Sequence, residues 1–376
     1  MDLLIMNLLK RVKKYMILLG GITVLIIASL FFILLLLSPG NPKQFLDENG
    51  NTMNNGISEK IFLELNGATQ GMFIKGENLD NPIILYLHGG MPDYFLTEKF
   101  PTHLEKNFTV IWWEQRNCGI SHNSSSANNL TTVEQIIDDT IDLTKYLLKR
   151  FDKSKIYLMG HSGGTFIGVN VIDKAPELCY AYIGVAQMSD QLKSEKIAYD
   201  YMINKFLELK NVKMYQTLQR IVFNQNGEVP KEYVSIRDAA MHELGIGTMR
   251  NANNLFTDIF LPSLLFSEYT MLEKYNLWAG KKNSGISQNW DRMINTNLME
   301  SKFSFKVPVY FFHGIFDYTC SHELAKEYFI KIEAPIKGFY TFANSAHSPI
   351  FEEPNRMNEI LVNDVLNLQI ELADDI

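Results

Sequence analysis

Apolar positions follow three patterns along this chain. The first is an unbroken run: residues 15–37, "YMILLGGITVLIIASLFFILLLL", carry no charge at all. As a helix rising roughly 1.5 Å per residue they would cover about 35 Å, enough to cross a hydrocarbon layer. Lys10, Arg11, Lys13 and Lys14 precede the run, whereas "SPGNPKQFLDENGN" after it holds one lysine and two acids. The cationic flank is retained in the cytoplasm, which sends residues 38–376 to the extracytoplasmic side. A cleaved signal peptide would show an apolar region of roughly 7–15 residues and a small-residue cleavage site, and neither is evident. The expectation is a single-pass signal anchor in the cell membrane: residues 1–14 a basic cytoplasmic segment, 15–37 the span.

The second pattern is the short, fully apolar run. Ile83–Leu87, Val110–Trp113 and Ile156–Met159 read as strands covered on both faces, the mark of a largely parallel sheet flanked by helices. Before them, "KIFLEL" and "GMFIKG" are close enough to form a hairpin. The third pattern is helical. In "TTVEQIIDDTIDLTKYLLKRF", Val133, Ile136, Ile137, Ile141, Leu147 and Leu148 share a stripe, and Thr132 with Gln135 makes a capping box.

A further strand, "YAYIGVAQ", ends near Gln187, and the next, "VPVYFFHG", begins at Val307. The stretch between is helical in pattern and reads as an inserted cap. "KGFYTFA" as a strand and "NRMNEILVNDVLNLQI" as a helix close the chain. The fold class expected is therefore α/β: a mostly parallel sheet flanked by helices, with a helical cap insertion and an N-terminal transmembrane helix. The division is 38–57 linker, 58–187 first part of the core, 188–304 cap and 305–376 second part of the core.

Composition narrows the partners. The chain is 376 residues long, 46% hydrophobic and at −7, and the +3 on residues 1–14 leaves −10 on the rest. So acidic a body excludes nucleic acid, whose phosphates need basic patches. Cys118, Cys179 and Cys320 lie far apart without metal-ligand spacing and read as small buried hydrophobes, with one disulfide left open. No metal or organic cofactor is implied.

Chemistry concentrates at "KIYLMGHSGGTFIGVN", where Gly160-His161-Ser162-Gly163-Gly164 stands between a strand-like and a helix-like run. That is a G-x-S-x-G elbow: a tight strand-to-helix turn holds the hydroxyl up, and glycines on either side avoid Cβ clashes. An ordinary Gly-Ser turn is the bland reading, and the flanking runs argue against it. A serine nucleophile needs a base, and the base needs an orienting acid, both further along the chain from such an elbow.

His347, in "FANSAHSPIFEEP", sits on a loop after the final strand and is the candidate base. Packing or surface roles suit His242, His313 and His322 better. Asp317 follows a strand by a short turn and is the first candidate acid, with Asp190 the second. An oxyanion needs two donors, which the amides of Gly163 and of Gly90 in "LHGGMP" would supply.

In order along the chain stand His88-Gly89-Gly90, Glu114-Gln115-Arg116-Asn117-Cys118-Gly119-Ile120-Ser121, "NNLTTVEQ", the elbow, His313-Gly314-Ile315-Phe316-Asp317, and His347 with Glu352-Glu353-Pro354. This series resembles the α/β-hydrolase superfamily, and more narrowly its proline iminopeptidase-like serine peptidases, over roughly residues 60 to 185 and 305 to 370. The departures are Met91-Pro92 for Pro-Gly, Glu114 for Asp, Asn117 for Gly, His161 for the second elbow glycine and Gly163 for an often bulky residue.

The resemblance implies a membrane-anchored serine hydrolase cleaving an ester or amide of a small molecule or short peptide. Ser162 would attack, His347 move the proton and Asp317 orient it. Glu114-Gln115-Arg116 would be structural. Acidic cap residues hold the substrate amine in those peptidases; Glu195, Glu208, Glu228 and Glu243 are available but match no motif. A carboxylesterase, a lipase, an acyltransferase, or an anchored binding protein that has lost turnover are the rival readings. "FTDIFLPSLLF", Phe256 to Phe266, would line an acyl pocket or, more simply, form a core stripe.

Overall fold

The computed structural model describes residues 2–123, 130–223, 229–252 and 254–376. Asn128 and Asn129 of the "NNLTTVEQ" motif and Glu228 lie outside the described residues.

Helix α1 runs without a break over Asp2–Leu36, so the basic flank and the apolar run are one rod. Ile5–Leu36 is long and apolar enough to cross a membrane. The hairpin is formed by β1 (Ile57–Leu65) and β2 (Ala68–Gly76). Its two-residue turn is Asn66-Gly67, both at positive φ, the backbone that suits the twist of a tight hairpin.

Six more strands complete the sheet: β3 (Ile83–Leu87), β4 (Thr109–Glu114), β5 (Ile156–His161), β6 (Cys179–Val185), β7 (Val309–Gly314) and β8 (Lys337–Phe342). Their order is β1-β2-β4-β3-β5-β6-β7-β8. Strand β2 runs antiparallel to both neighbours, and every pairing from β4 to β8 is parallel.

Alternate residues of the continuous apolar runs face opposite sides, and both sides are dry. Leu85, Leu87, Ile111, Trp113 and Leu158 face one core with Val133 and Ile136 of α2 (Val133–Phe151) and Phe166 and Ile167 of α3 (Gly163–Lys174). Ile84, Tyr86, Val110, Trp112 and Met159 face a second core with Phe95, Leu104 and the C-terminal residues Ile360, Leu361 and Val365. The capping box of α2 is present in both directions. The last helix is shorter than its pattern: Pro354–Ile360 passes into a wider turn that ends at Val365.

Residues 186–308 contain no strand among the described residues. They hold α4 (Gln191–Glu208), α5 (Val212–Gln219), α6 (Lys231–Glu243), a wide turn Phe256–Phe260 leading into α7 (Leu261–Leu265), and α8 (Met271–Ala279). The first three share a small core around Met202, Phe206, Leu218, Tyr233 and Met241.

The stretch read as a linker is laid along this body. Gly40 donates its amide to Ser267 O at 3.1 Å, and Pro39 bridges to Thr270. Buried Lys274 donates to Leu37 O at 3.1 Å and to Ser38 Oγ at 2.8 Å, and burial holds its ammonium down to about 8. All three cysteines are free and buried.

Arg116 ties the β4 loop to α2 through Asp139, with Nε to Oδ2 at 2.9 Å and Nη2 to Oδ1 at 2.8 Å. Gln70 and Asn66 donate to the same carboxylate. Asp139 is fully buried, so neutralising it strands a guanidinium in low dielectric. Asp139→Asn should destabilise the protein by about 3–5 kcal/mol, read as a lowered urea midpoint at unchanged slope.

Candidate active site

Parallel strands bring their carboxyl ends to one edge, where a ligand crevice forms in such sheets. The loops after β3, β5, β7 and β8 carry Gly90, Ser162, Asp317 and His347 respectively. Ser162 has φ 55° and ψ −126°, a conformation that costs a residue with a side chain about 1–3 kcal/mol. The surroundings enforce it. A Cβ on Gly160 would come 2.8 Å from Gly164 O, and one on Gly164 would come 2.1 Å from Leu87 O. Neither contact is tolerable, so glycine two residues either side of the serine is a steric requirement.

Gly89 rather than Gly90 is the crowded member of the β3 loop. A Cβ there would meet Ser162 Cβ at 2.8 Å, whereas one on Gly90 would meet nothing within 4 Å. Gly90 lines the cavity and Gly163 opens α3 beside Ser162; among the described residues neither amide has a hydrogen-bond partner.

Asp317 and His347 are brought together. His347 Nδ1 donates to Asp317 Oδ2 at 2.9 Å. Asp317 Oδ1 accepts the amides of Thr319 at 2.8 Å and Cys320 at 2.9 Å, and His313 Nε2 stands 3.2 Å from Oδ2. Burial pushes this carboxyl up, but His347 and His313 outweigh burial and hold it well below the ordinary carboxylate range. Burial lowers His347 and Asp317 opposes it, with a net downward shift. Asp190 is elsewhere, capping α4 by accepting from Lys193 N.

The loop carrying His347 is held by carboxylates. Glu353 Oε2 accepts from Asn344 N at 2.9 Å and Ser345 Oγ at 2.7 Å, while Glu352 accepts from the amides of Ala346 and Arg250. Burial raises Glu352 to about 7. At the β4 loop, burial raises Glu114 to about 8, and it accepts from Ile120 N at 2.6 Å and from the Tyr269 hydroxyl. Gln115 clasps the β3 loop, taking His88 Nε2 with its backbone at 3.1 Å and His88 O with its side chain at 2.9 Å. These three residues therefore have the structural task that the resemblance implied.

Ser162 and His347 line one cavity of about 430 Å³ between the strand ends and the cap. The cap contributes Arg237, Met241, His242 and the apolar Leu255, Phe256, Ile259 and Phe260. His242, expected in a packing or surface role, is thus a wall residue. Of the cap carboxylates considered from sequence, Glu195 is buried and consumed by Arg237 Nε at 2.6 Å and Tyr233 at 3.1 Å. Glu208 pairs with Lys205 in solvent, and exposed Glu243 accepts from Asn211. The acids lining the cavity are Asp93 and Asp238, which no motif singled out. Among the described residues no group of three or more His, Cys, Asp and Glu is placed to hold a metal ion.

His161 was legible only as a departure from the elbow pattern. Its Nε2 donates to His347 O at 2.9 Å, and its Nδ1 lies 3.2 Å from Asp93 Oδ2, which Tyr86 also reaches at 2.7 Å. The Tyr86 hydroxyl also stands 3.1 Å from His161 Nδ1. Burial opposes a charge on His161, but Asp93 outweighs burial and raises the imidazole above its ordinary value. Its ring lies 5.1 Å from that of His347 and adds to the downward shift there.

With this geometry in view, similarity to known proteins is informative. The sequence profile described as alpha/beta hydrolase fold matches residues 82–354. A probable aminopeptidase, YbaC of Bacillus subtilis (strain 168), is 31% identical over 295 residues, covering 78% of this chain and 92% of that protein. A proline iminopeptidase from Mycobacterium smegmatis superposes with TM-score 0.57 at 12% identity, over 82% of this chain and 98% of that one. A thermophilic esterase from Thermogutta terrifontis gives 0.53 at 14% identity, over 83% and 99%. At such identities the two structures speak for the fold alone. The profile and the relative together carry the assignment: the chain belongs to the α/β-hydrolase family and is a hydrolase.

Proposed function

We propose that the protein is a membrane-anchored serine hydrolase that cleaves an ester or amide bond through Ser162, His347 and Asp317. The observation that carries this reading is the 2.9 Å bond from His347 Nδ1 to buried Asp317, made at the wall of the cavity that Ser162 lines. Ser162 Oγ attacks the carbonyl carbon, and His347 Nε2 takes the hydroxyl proton. The oxyanion is held by the amides of Gly90 and Gly163. His347 then returns the proton to the leaving group, and water repeats the sequence on the acyl-enzyme. Asp317 fixes the tautomer with Nδ1 protonated. The helix Ile5–Leu36 anchors the chain, residues 38–376 lie on the extracytoplasmic side, and residues 188–304 form the cap.

A second reading concerns specificity. Asp238 on the cavity wall, 64% exposed although paired with Arg237 Nη1 at 2.8 Å, together with the relative named a probable aminopeptidase, favours a substrate with a free amine. Proline naphthylamide compared with short p-nitrophenyl esters separates the two. An aminopeptidase prefers the former, and Asp238→Asn then raises KM for it at least tenfold while ester turnover stays constant.

Ser162→Ala should lower kcat by about 10⁶-fold and abolish labelling by a fluorophosphonate; persistent labelling refutes the assignment. The pH profile gives an independent check. Neutral His347 is the active base, so kcat/KM rises with pH through an apparent pKa below the ordinary imidazole value, because burial favours the neutral ring. Asp317→Asn removes the influence that raises His347. The acid limb should move to lower pH while kcat drops by about 10⁴-fold.

A further inference from the structure

The Phe256–Leu265 helix turns no unpaired charge to water. Surface helices ordinarily turn charge to water, yet in "FTDIFLPSLL" the single charge, Asp258, is paired with Lys99 at 2.8 Å. Phe256 is 59% exposed and Leu265 46%, and on the neighbouring α8 Leu272 and Tyr275 are 66% and 68% exposed. The two elements are joined, with Phe260 against Trp278 at 5.3 Å and Trp278 Nε1 donating to Ser263 Oγ at 2.9 Å. The core stripe expected here is only half a core: Ile259 and Ser263 are covered, and the opposite side is bare.

The chain itself indicates what covers it. The contacts that hold the end of α1 are made by this same stretch: Ser267 O to Gly40, Thr270 to Pro39, and Lys274 to Leu37 O and Ser38 Oγ. Leu265 and Leu272 each stand two residues from such a contact, within about 7 Å of chain. A bilayer crossed by α1 therefore ends beside them, and Tyr275 and Phe256 are of the type that settles at its interface.

The same helix is a wall of the active site. Phe256, Ile259 and Phe260 face the Ser162 cavity, while Leu261, Pro262 and Leu265 line a second apolar recess of about 340 Å³, and Phe95 borders both.

We propose that the exposed face of Phe256–Leu265 and α8 is seated in the membrane interface, and that the cavity takes a lipid-borne acyl ester or amide through this wall. The inference rests on the anchored-hydrolase reading above. Its test uses the full-length chain in phosphatidylcholine vesicles. Leu265→Trp and Leu272→Trp are compared with Ile330→Trp, at an exposed position of the helix His322–Lys331 that packs beside β7, in vesicles with and without acyl-chain bromine.

Quenching of the first two by at least twofold, with Ile330→Trp unaffected, supports membrane seating. Kinetics test entry: Leu272→Asp and Tyr275→Asp, which line neither the Ser162 cavity nor the second recess, should lower kcat/KM for vesicle-embedded p-nitrophenyl palmitate at least tenfold and leave aqueous p-nitrophenyl acetate unchanged. Equal effects on both esters overturn the entry route. A chain that floats with the vesicles yet shows no quenching, or whose tryptophans are shielded by dimerisation instead, overturns the inference and leaves the anchor intact. A chain that fails to float overturns the anchor reading itself.

Discussion

At the sheet edge, the closest approach of one backbone to another sets everything downstream. Gly164 lies so near Leu87 O that a methyl group could not be added, and Gly160 is pinned in the same way against Gly164. This contact draws α3 onto β3 and forces the chain between β5 and α3 into a single sharp reversal. Ser162 is left at positive φ at its apex, and Gly89, with Gly90 beside it, is brought against the serine side chain. The strain is borne locally because the fully buried strands on either side make alternative backbone paths more costly still.

Around that reversal, burial makes every ionisable group expensive unless it is paired, and the pairings divide the labour. Asp317 stays charged because two imidazoles and two amides surround it. Glu114 and Glu352 are pushed up to about 8 and about 7 by burial and act as hydrogen-bonded braces for loops rather than as reacting groups. His161 is raised above its ordinary value because Asp93 outweighs burial. Its position behind His347 means that one departure from the family pattern reaches both the backbone and the electrostatics of the proposed base.

What could be read from sequence was what depends on local spacing. The dry strands Ile83–Leu87 and Ile156–His161, the Thr132–Gln135 capping box and the glycines of the elbow each express a short-range rule, and each is where the pattern put it. Partners far apart in sequence were not legible. Glu195 looks like a free carboxylate until Arg237, 42 residues on, consumes it. Asp93, Asp238 and His242 line the cavity only because the cap folds over the strand ends. Periodicity marks Phe256–Leu265 as apolar but cannot say which face is covered, and a Gly-, Pro- and Asn-rich stretch after α1 reads as a tether although its backbone is bonded to the body.

The cap is also coupled to the proposed chemistry through the backbone. Gly247 O accepts from His347 N at 3.2 Å and Ile246 O from Tyr318 N at 3.2 Å, so the segment after α6 touches the loops of both the base and the acid. The following cap segment, through Ser267, Thr270 and Lys274, holds the end of α1. The insertion therefore touches both the end of α1 and the loop of the proposed base. In the proposed reading, the geometry of the base and the seating of the body against its anchor thus share one stretch of chain.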